Sequence, residues 1–347
     1  MKALKYLFLL ILVLIIGGSI YIATLNGEYN ISSKRNIAAP AEVIFNNIND
    51  YKNWNKWGPW HEIDSTIITS YPEATSGVGA SYSWTGIKGN GSMKTLSLIP
   101  NKELIQEIKF ATGSLAEVYW NISETDTGNE LVWGMRGKNT FGEKLYWLTL
   151  GGIQKNIKPM FDRGLQLLDT QLFNEMNKHS IEFIGEVDYG GGYYLYQTTS
   201  CKINDMNIKM CELFGNITKY ITDNSVEITG NTFTLTHKWD EENKTTMFSA
   251  CFPIKERIIT TGDVLTAYLK PQKTFKSVLN GNYKFMKKAW NETFSELTKK
   301  GFIAKENGEP FEVYKVSRQN TKNPAKWVTE IYIPIEKSKQ IYEINIT

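Results

Sequence analysis

Two stretches in the C-terminal half of the chain repeat one order of predicted elements, and this duplication constrains the fold more than any other feature. Each stretch has a helix pattern, a strand, a polar loop and a second strand, over residues 207–254 and 282–335. Phe233 matches Phe311, and Pro253 matches Pro334. Because repeated units pack against each other, the duplication predicts a pseudo-two-fold α+β domain with a groove between its halves.

The chain begins with an uncharged apolar run, residues 6–25, which follows Lys2 and Lys5. Twenty residues of helix rise about 30 Å, enough to cross the hydrocarbon core of a bilayer. A cleaved secretory signal has a shorter apolar core, so we predict a transmembrane anchor over residues 1–27. A short leading tail before a large body predicts a single-pass protein of the cell (inner) membrane with its soluble domains on the extracytoplasmic side.

Composition limits the classes of protein that fit the chain. Its 347 residues are too many for one ordinary core and predict two domains. The net charge is +3 without a basic cluster, which argues against nucleic-acid binding. The three histidines lie far apart and no CxxC pair occurs, so we predict no metal and no cofactor. A disulfide between Cys201 and Cys211, or buried free thiols that include Cys251, are both open alternatives.

Residues 28–178 read as a strand, a helix opened by Pro40, a meander of strands and a long helix over about residues 151–178. This order predicts an α+β domain in which a curved antiparallel sheet wraps over the long C-terminal helix. Trp54, Trp57 and Trp60 recur three residues apart before the meander. We expect them to pack in the core, with a place at the mouth of a cavity as the alternative.

The segments "RNIAAPAEVIFNNINDYKNWNKWGPW", "GVGASYSW" and "FDRGLQLLDTQL" make residues 28–178 similar to SRPBCC domains, which are START-like or polyketide-cyclase-like. The resemblance implies a helix-grip fold with a cavity between sheet and long helix for lipids or other apolar ligands. It implies a pocket and not a particular reaction.

The segments "GNYKFMKKAWNETFSEL", "PFEVY" and "TEIYIPI" make residues 179–347 resemble the GyrI-like effector-binding domain, which is also attached to AraC-type and MerR-type regulators. The resemblance implies aromatic-lined pockets that accept amphipathic, often cationic, molecules. Some family members hydrolyse strained small-ring substrates. No helix-turn-helix pattern precedes the domain, so we do not expect this chain to bind nucleic acid.

Glu330 and Tyr332 lie two residues apart in "TEIYIPI", so a strand points both side chains to one face and the isoleucines to the other. In the first copy the position four before the proline is Ser249, so the repeat itself does not require an acid there. By resemblance, Glu330 matches the acidic residue that holds a cationic ligand. The alternative is an exposed edge-strand glutamate.

Four further aromatic residues are candidates for the ligand site. Trp290 belongs to a helical stripe that also fits a core, and Tyr283 follows Gly281 at the start of that helix, matching the Gly-x-Tyr of the GyrI-like resemblance. Tyr194 and Tyr314 are weaker candidates.

We predict membrane-anchored binding of small hydrophobic or amphipathic ligands, cationic ones among them, for sensing, sequestration or resistance. The alternative is a small-molecule hydrolase in which Glu330 is the general base or a charge stabiliser and Tyr332 or Tyr283 donates a hydrogen bond. A third alternative is a scaffold whose pockets are filled by side chains. No nucleophilic triad is recognisable from sequence order, and the oligomeric state is undetermined.

Overall fold

The computed structural model of the protein describes residues 2–336, so Met1 and residues 337–347, the end of the predicted second domain, lie outside the described residues. The fold is α+β with two antiparallel sheets. The chain divides into two compact units, Met1–Glu175 and Met176–Thr347.

The first unit contains one seven-stranded antiparallel sheet in the order β1-β7-β6-β5-β4-β3-β2. Its strands are β1 (Glu28–Ile37), β2 (Ile68–Ser70), β3 (Ser81–Thr85), β4 (Gly91–Ile99), β5 (Glu103–Phe110), β6 (Leu115–Thr125) and β7 (Gly128–Lys138). Its helices are α1 (Lys2–Thr24), α2 (Ala41–Asn49), α3 (Tyr51–Trp54), α4 (Trp60–Ile63), α5 (Phe141–Thr149) and α6 (Ile153–Met176), the last ending where the second unit begins.

The apolar helix α1 is the part of the first unit that bears on the predicted anchor. By length and composition, its segment Ala3–Thr24 is able to cross a membrane. Its side chains are almost all exposed, so it is not a core helix of this unit.

Tryptophan rings occupy the space between the sheet and α6. Trp133 of β7 stacks on Phe161 of α6 with ring centroids 4.5 Å apart, and Trp57 meets Trp133 edge to face at 6.0 Å. Trp54 and Trp57 are fully buried, and Trp60 contacts Trp133 at 5.8 Å. Trp54, Trp57 and Trp133 therefore pack in the core, where the SRPBCC resemblance implies a ligand cavity, whereas Trp60 is only half-buried.

The second unit is built on a sheet in the order β12-β9-β11-β10-β15-β16-β13-β8, with β14 paired to β16. Its strands are β8 (Ser180–Tyr189), β9 (Gly192–Lys202), β10 (Phe233–Asp240), β11 (Thr245–Ile254), β12 (Leu265–Leu269), β13 (Gln272–Asn280), β14 (Ile303–Ala304), β15 (Phe311–Val316) and β16 (Val328–Glu336). Its helices are α7 (Met206–Asn224) and α8 (Met286–Lys299). Cys201, Cys211 and Cys251 are free thiols, so the alternative of a disulfide does not hold.

The duplicated stretches are related by a local two-fold axis between β10 and β15. Phe233 pairs with Val313, and its counterpart Phe311 pairs with Leu235. Each phenylalanine is therefore opposite the residue two positions after its counterpart, as a two-fold axis requires. The strand order β9-β11-β10 on one side mirrors β13-β16-β15 on the other. The pseudo-two-fold arrangement predicted from the sequence is therefore present.

The sheet of the second unit curls strongly. Only Gly190 and Gly191 connect β8 to β9, although these strands lie six positions apart in the sheet. In a flat sheet that separation would be about 29 Å, whereas the two-residue link spans at most about 11 Å. The curl gives the sheet a concave face, and the two helices pack on the opposite face.

Candidate functional site

Strand β16 presents two different faces, as the alternation of its sequence predicts. Ile331 packs in a cluster with Ala289 of α8, and Ile333 lies under the same helix. Tyr332 belongs to the cluster on the concave face, and the pleat places Glu330 on that face too.

Glu330 already has a cationic partner within the protein. The ammonium of Lys276 on β13 lies 2.7 Å from Oε1 of Glu330, and the hydroxyl of Tyr332 donates to Oε2 at 2.8 Å. Burial acts to raise the pKa of Glu330, but the hydrogen bonds and the charge of Lys276 outweigh it, and the pKa lies below its ordinary value. A carboxylate with a lowered pKa is a weak general base, and its charge is already neutralised.

Tyr194 and Tyr332 belong to the packed interior of the concave face. Tyr332 stacks on Phe311 with centroids 4.8 Å apart, and Tyr194 meets Phe233 at 5.3 Å. Burial raises the pKa of both phenols, with the nearby Glu330 carboxylate adding to the effect on Tyr332. Both rings therefore stay neutral and act chiefly in packing.

A second carboxylate, Glu312 of β15, lies on the helix-bearing face. The indole N–H of Trp290 donates to Oε1 of Glu312 at 2.6 Å, and the hydroxyl of Tyr314 donates to Oε2 at 2.8 Å. The Tyr314 oxygen also lies 2.9 Å from Oγ1 of Thr234 and 3.6 Å from Sδ of Met210. Trp290 of α8 and Tyr314 of β15 thus bind the carboxylate directly, and the Tyr314 hydroxyl connects it to β10 and α7.

Further aromatic rings pack around Tyr314, one of the two donors to this carboxylate. Tyr283 meets Tyr314 edge to face at 5.8 Å and stacks on Trp327 at 4.5 Å. Phe214 of α7 approaches Tyr314 from the other side at 6.1 Å. Burial raises the pKa of Tyr283 to about 12, with Glu312 contributing, so the phenol stays protonated. We call the set Thr234, Tyr283, Trp290, Glu312, Tyr314 and Trp327 the Glu312 cluster.

Glu312 is only 8% exposed. Within the part of the chain that the structure describes, its carboxylate forms no ion pair, in contrast to Glu330 with Lys276. Burial raises the pKa of its carboxyl, against the hydrogen bonds from Trp290 and Tyr314 that act to lower it. A buried carboxylate without an ion pair is costly to ionise, and a cation brought by a ligand would relieve that cost.

The structure therefore separates the predicted site residues into two groups. Tyr283, Trp290 and Tyr314 meet around Glu312, whereas Glu330, Tyr332 and Tyr194 lie on the concave face. Sequence reasoning did not single out Glu312, although the segment "PFEVY" contains it. Because Phe233 matches Phe311, Thr234 is the counterpart of Glu312 in the first copy. The repeat therefore does not require an acid at this position, as it does not at Glu330.

Glu309, His237 and Ser249 are linked acid to histidine to hydroxyl, as in a nucleophilic triad. The positions of these residues in the sequence did not indicate this arrangement. Nε2 of His237 lies 2.6 Å from Oγ of Ser249, and Nδ1 lies 2.6 Å from Oε1 of Glu309. Ser249 has 0% exposure, and its hydroxyl also contacts Oγ1 of Thr198 at 2.6 Å. A substrate carbonyl has no access to such a hydroxyl, so we interpret the chain of contacts as structural.

The first unit has an open cleft of about 510 Å³ at the β3–β5 part of its sheet. Its lining is mainly serine and lysine side chains, with Tyr71 and Tyr82 stacked 6.1 Å apart on one side. None of the predicted site residues lies in this cleft.

Comparison with models of protein families matches residues 193–336 to the GyrI-like small molecule binding domain. Comparison with curated proteins gives no significant match. Among solved structures, a chain of the EcmrR–DNA complex is 18% identical over 56% of this chain and 72% of that chain, at a TM-score of 0.40. The EcmrR C-terminal domain is 17% identical over 46% and 98%, also at 0.40. A protein from Chromobacterium violaceum is 16% identical over 42% and 96%, at 0.33.

The family match confirms the GyrI-like assignment for residues 193–336. The SRPBCC resemblance of the first unit, the membrane anchor and the role of each candidate residue stay predictions.

Proposed function

We propose that the second unit binds an organic cation with substantial apolar surface and that Glu312 supplies the counter-charge. The observation that carries this proposal is a buried carboxylate that has aromatic neighbours and neutral hydrogen-bond donors but no ion pair among the described residues. The family match of residues 193–336 to a small-molecule binding domain supports it.

The aromatic residues of the Glu312 cluster favour a cation over a neutral ligand. Ring faces attract positive charge, and the attraction grows when the site excludes water. Tyr283 contacts Tyr314 and stacks on Trp327, so these two rings continue the aromatic contacts beyond Tyr314. We propose that this pair separates to admit the ligand, because Glu312 itself is nearly covered.

We further propose that α1 anchors the protein in a membrane, which would place the site where amphipathic cations accumulate. The length and apolar composition of Ala3–Thr24 support this placement. For the first unit we propose a helix-grip domain of the SRPBCC kind, supported by its sheet and the long helix α6, with aromatic side chains in the interior.

Two ions of equal shape and opposite charge test the ligand proposal. We would measure binding of tetraphenylphosphonium and tetraphenylborate to the full chain in detergent by equilibrium dialysis, with empty micelles subtracted. We expect the cation to bind and the anion to bind at least about tenfold more weakly. The variant Glu312→Gln should lose at least about tenfold in cation affinity, since it keeps the shape and removes the charge.

Glu330→Gln is the matched control, because it makes the same substitution on the other face of the sheet. We expect it to bind the cation like the unmodified protein. Loss of binding in Glu330→Gln alone would instead support the Glu330 site, and equal binding of both ions would overturn the proposal.

A further inference from the structure

Helix α5 exposes an apolar stripe that a water-soluble surface would not present. Phe141, Leu145 and Leu148 follow the i, i+4, i+7 spacing of one helix face, and they are 47%, 45% and 47% exposed. Such a stripe normally faces the core of its own unit. Tyr146 and Leu150 of the same segment are also exposed, so α5 is apolar on much of its surface.

The end of α1 lies against the start of α5. The first residue of β1, Glu28, pairs with the last residue of β7, Lys138, so α1 enters the sheet where α5 leaves it. The backbone N–H of Asn139 donates to the carbonyl of Gly27 at 2.8 Å. The ammonium of Lys144 donates to the carbonyl of Ala23 at 3.3 Å, a charge placed to favour the C-terminal end of α1.

The composition of this end of the first unit matches a membrane interface. Tyr146 and Trp147 lie together with ring centroids 5.0 Å apart, and such amphipathic rings are enriched at headgroup level. Leu115, 52% exposed, begins β6 at the same end of the sheet, because β6 pairs there with the last residues of β7. Lys138 lies at the same end of the sheet, and its ammonium would attract anionic lipid headgroups.

We propose that α5 lies in the interfacial layer of the bilayer that α1 enters, with its apolar stripe toward the acyl chains. This inference rests on the proposed anchoring of α1. It adds a second contact with lipid and directs one end of the first sheet, the end that carries Leu115 and α5, toward the membrane. A single helix leaves the attached body free to tilt, whereas two contacts with lipid restrict it.

Electron paramagnetic resonance on the full chain in phosphatidylcholine and phosphatidylglycerol vesicles tests the proposal. Cys201→Ser and Cys211→Ser give the background, since Cys251 is fully buried. Spin labels would be placed singly at Leu145→Cys, Leu148→Cys, Ile99→Cys and Leu12→Cys. Ile99 is the matched control, because it is 51% exposed and ends β4 at the opposite end of the same sheet.

The measured quantity is the ratio of label accessibility to oxygen, which enters lipid, over that to a nickel chelate, which stays in water. We expect a ratio above that of Ile99 at both α5 positions and the highest ratio at Leu12. Ratios at Leu145 and Leu148 equal to that of Ile99, with a high ratio at Leu12, would overturn the interfacial helix and leave the anchor intact. A low ratio at Leu12 as well would overturn the anchor and, with it, the inference.

Discussion

The indole N–H of Trp290 on α8 and the carboxylate of Glu312 on β15 meet at 2.6 Å, which ties a helix to the central strands through a buried acid. The bond helps Glu312 to carry its charge, while burial opposes that charge and raises the pKa. Burial and the two hydrogen-bond donors therefore act in opposite directions on the ionisation of Glu312, and a bound cation would favour the ionised form. Three of the predictions below depend on this balance.

Cation affinity should depend on pH through Glu312. A cation binds the ionised carboxyl best, so affinity for tetraphenylphosphonium should rise with pH through the raised pKa, by up to about tenfold per pH unit below it. Dialysis between about pH 4.5 and 8 measures this profile. In Glu312→Gln the profile should be flat, and a wild-type profile equally flat would contradict the assignment.

Replacing Glu312 with glutamine should stabilise the ligand-free protein. A carboxyl whose folded pKa lies above its unfolded value contributes stability that is complete below the unfolded pKa, about 4.3, and is lost as pH rises through the folded pKa. In thermal melts without ligand, the melting temperature of Glu312→Gln relative to that of the unmodified protein should therefore increase from acid to neutral pH. Each ~1 kcal/mol corresponds to about 2–4 °C for a domain of this size. A lower melting temperature for the variant at neutral pH would contradict this prediction.

Trp290→Phe tests the hydrogen bond of the indole N–H apart from the packing of the ring. The variant keeps an aromatic side chain but removes a hydrogen bond that lowers the pKa of Glu312, so the midpoint of the binding profile should move to higher pH. At a pH where Glu312 is ionised, the free energy of unfolding should fall by about 1.5–3 kcal/mol, as for other hydrogen bonds to charged groups. Phe294→Leu is the control, because Phe294 stacks on Trp290 at 5.9 Å and makes no hydrogen bond to Glu312. It should leave the midpoint unchanged.

Much of the second unit could be predicted from the sequence because its signals are local or repeated. The matched positions Phe233 and Phe311 indicated the two-fold arrangement, and both lie at its central pair of strands. The alternation around Tyr332 correctly separated the faces of β16. Strand alternation follows from backbone geometry alone and needs no knowledge of distant residues.

The partner of each carboxylate could not be predicted in the same way. Lys276 meets Glu330 from a strand 54 residues away in the chain, and Trp290 meets Glu312 from a helix, so sequence spacing does not predict either contact. Only the register of the folded sheet shows which acid is neutralised. Helix α5 was not predicted either, although the Thr140 and Glu143 capping box at its start is a helix signal that the sequence contains.

A double-mutant cycle should show that Lys276 and Glu330 act as a structural pair. Glu330→Gln leaves Lys276, whose side chain is 20% exposed, without its counter-charge, so we expect a loss of about 1–3 kcal/mol in the free energy of unfolding. Lys276→Met combined with Glu330→Gln should recover most of it. Because the folded pKa of Glu330 is lowered, this stability is present above the unfolded pKa and is lost as pH falls through the folded pKa. Additive single effects in denaturant titrations would contradict the pairing.

The interior of the first unit should bind a small aromatic molecule only after a mutation has removed one of its tryptophan side chains. Trp57 is fully buried and makes edge-to-face contact with Trp133, so Trp57→Ala should cost about 3–5 kcal/mol and leave an apolar cavity. Added indole should then raise the melting temperature of this variant and have no effect on the unmodified protein. Trp239→Ala, which removes a ring that is 44% exposed, is the control and should show neither a large loss nor rescue. Indole stabilisation of the unmodified protein would mean instead that this interior holds a ligand space of its own.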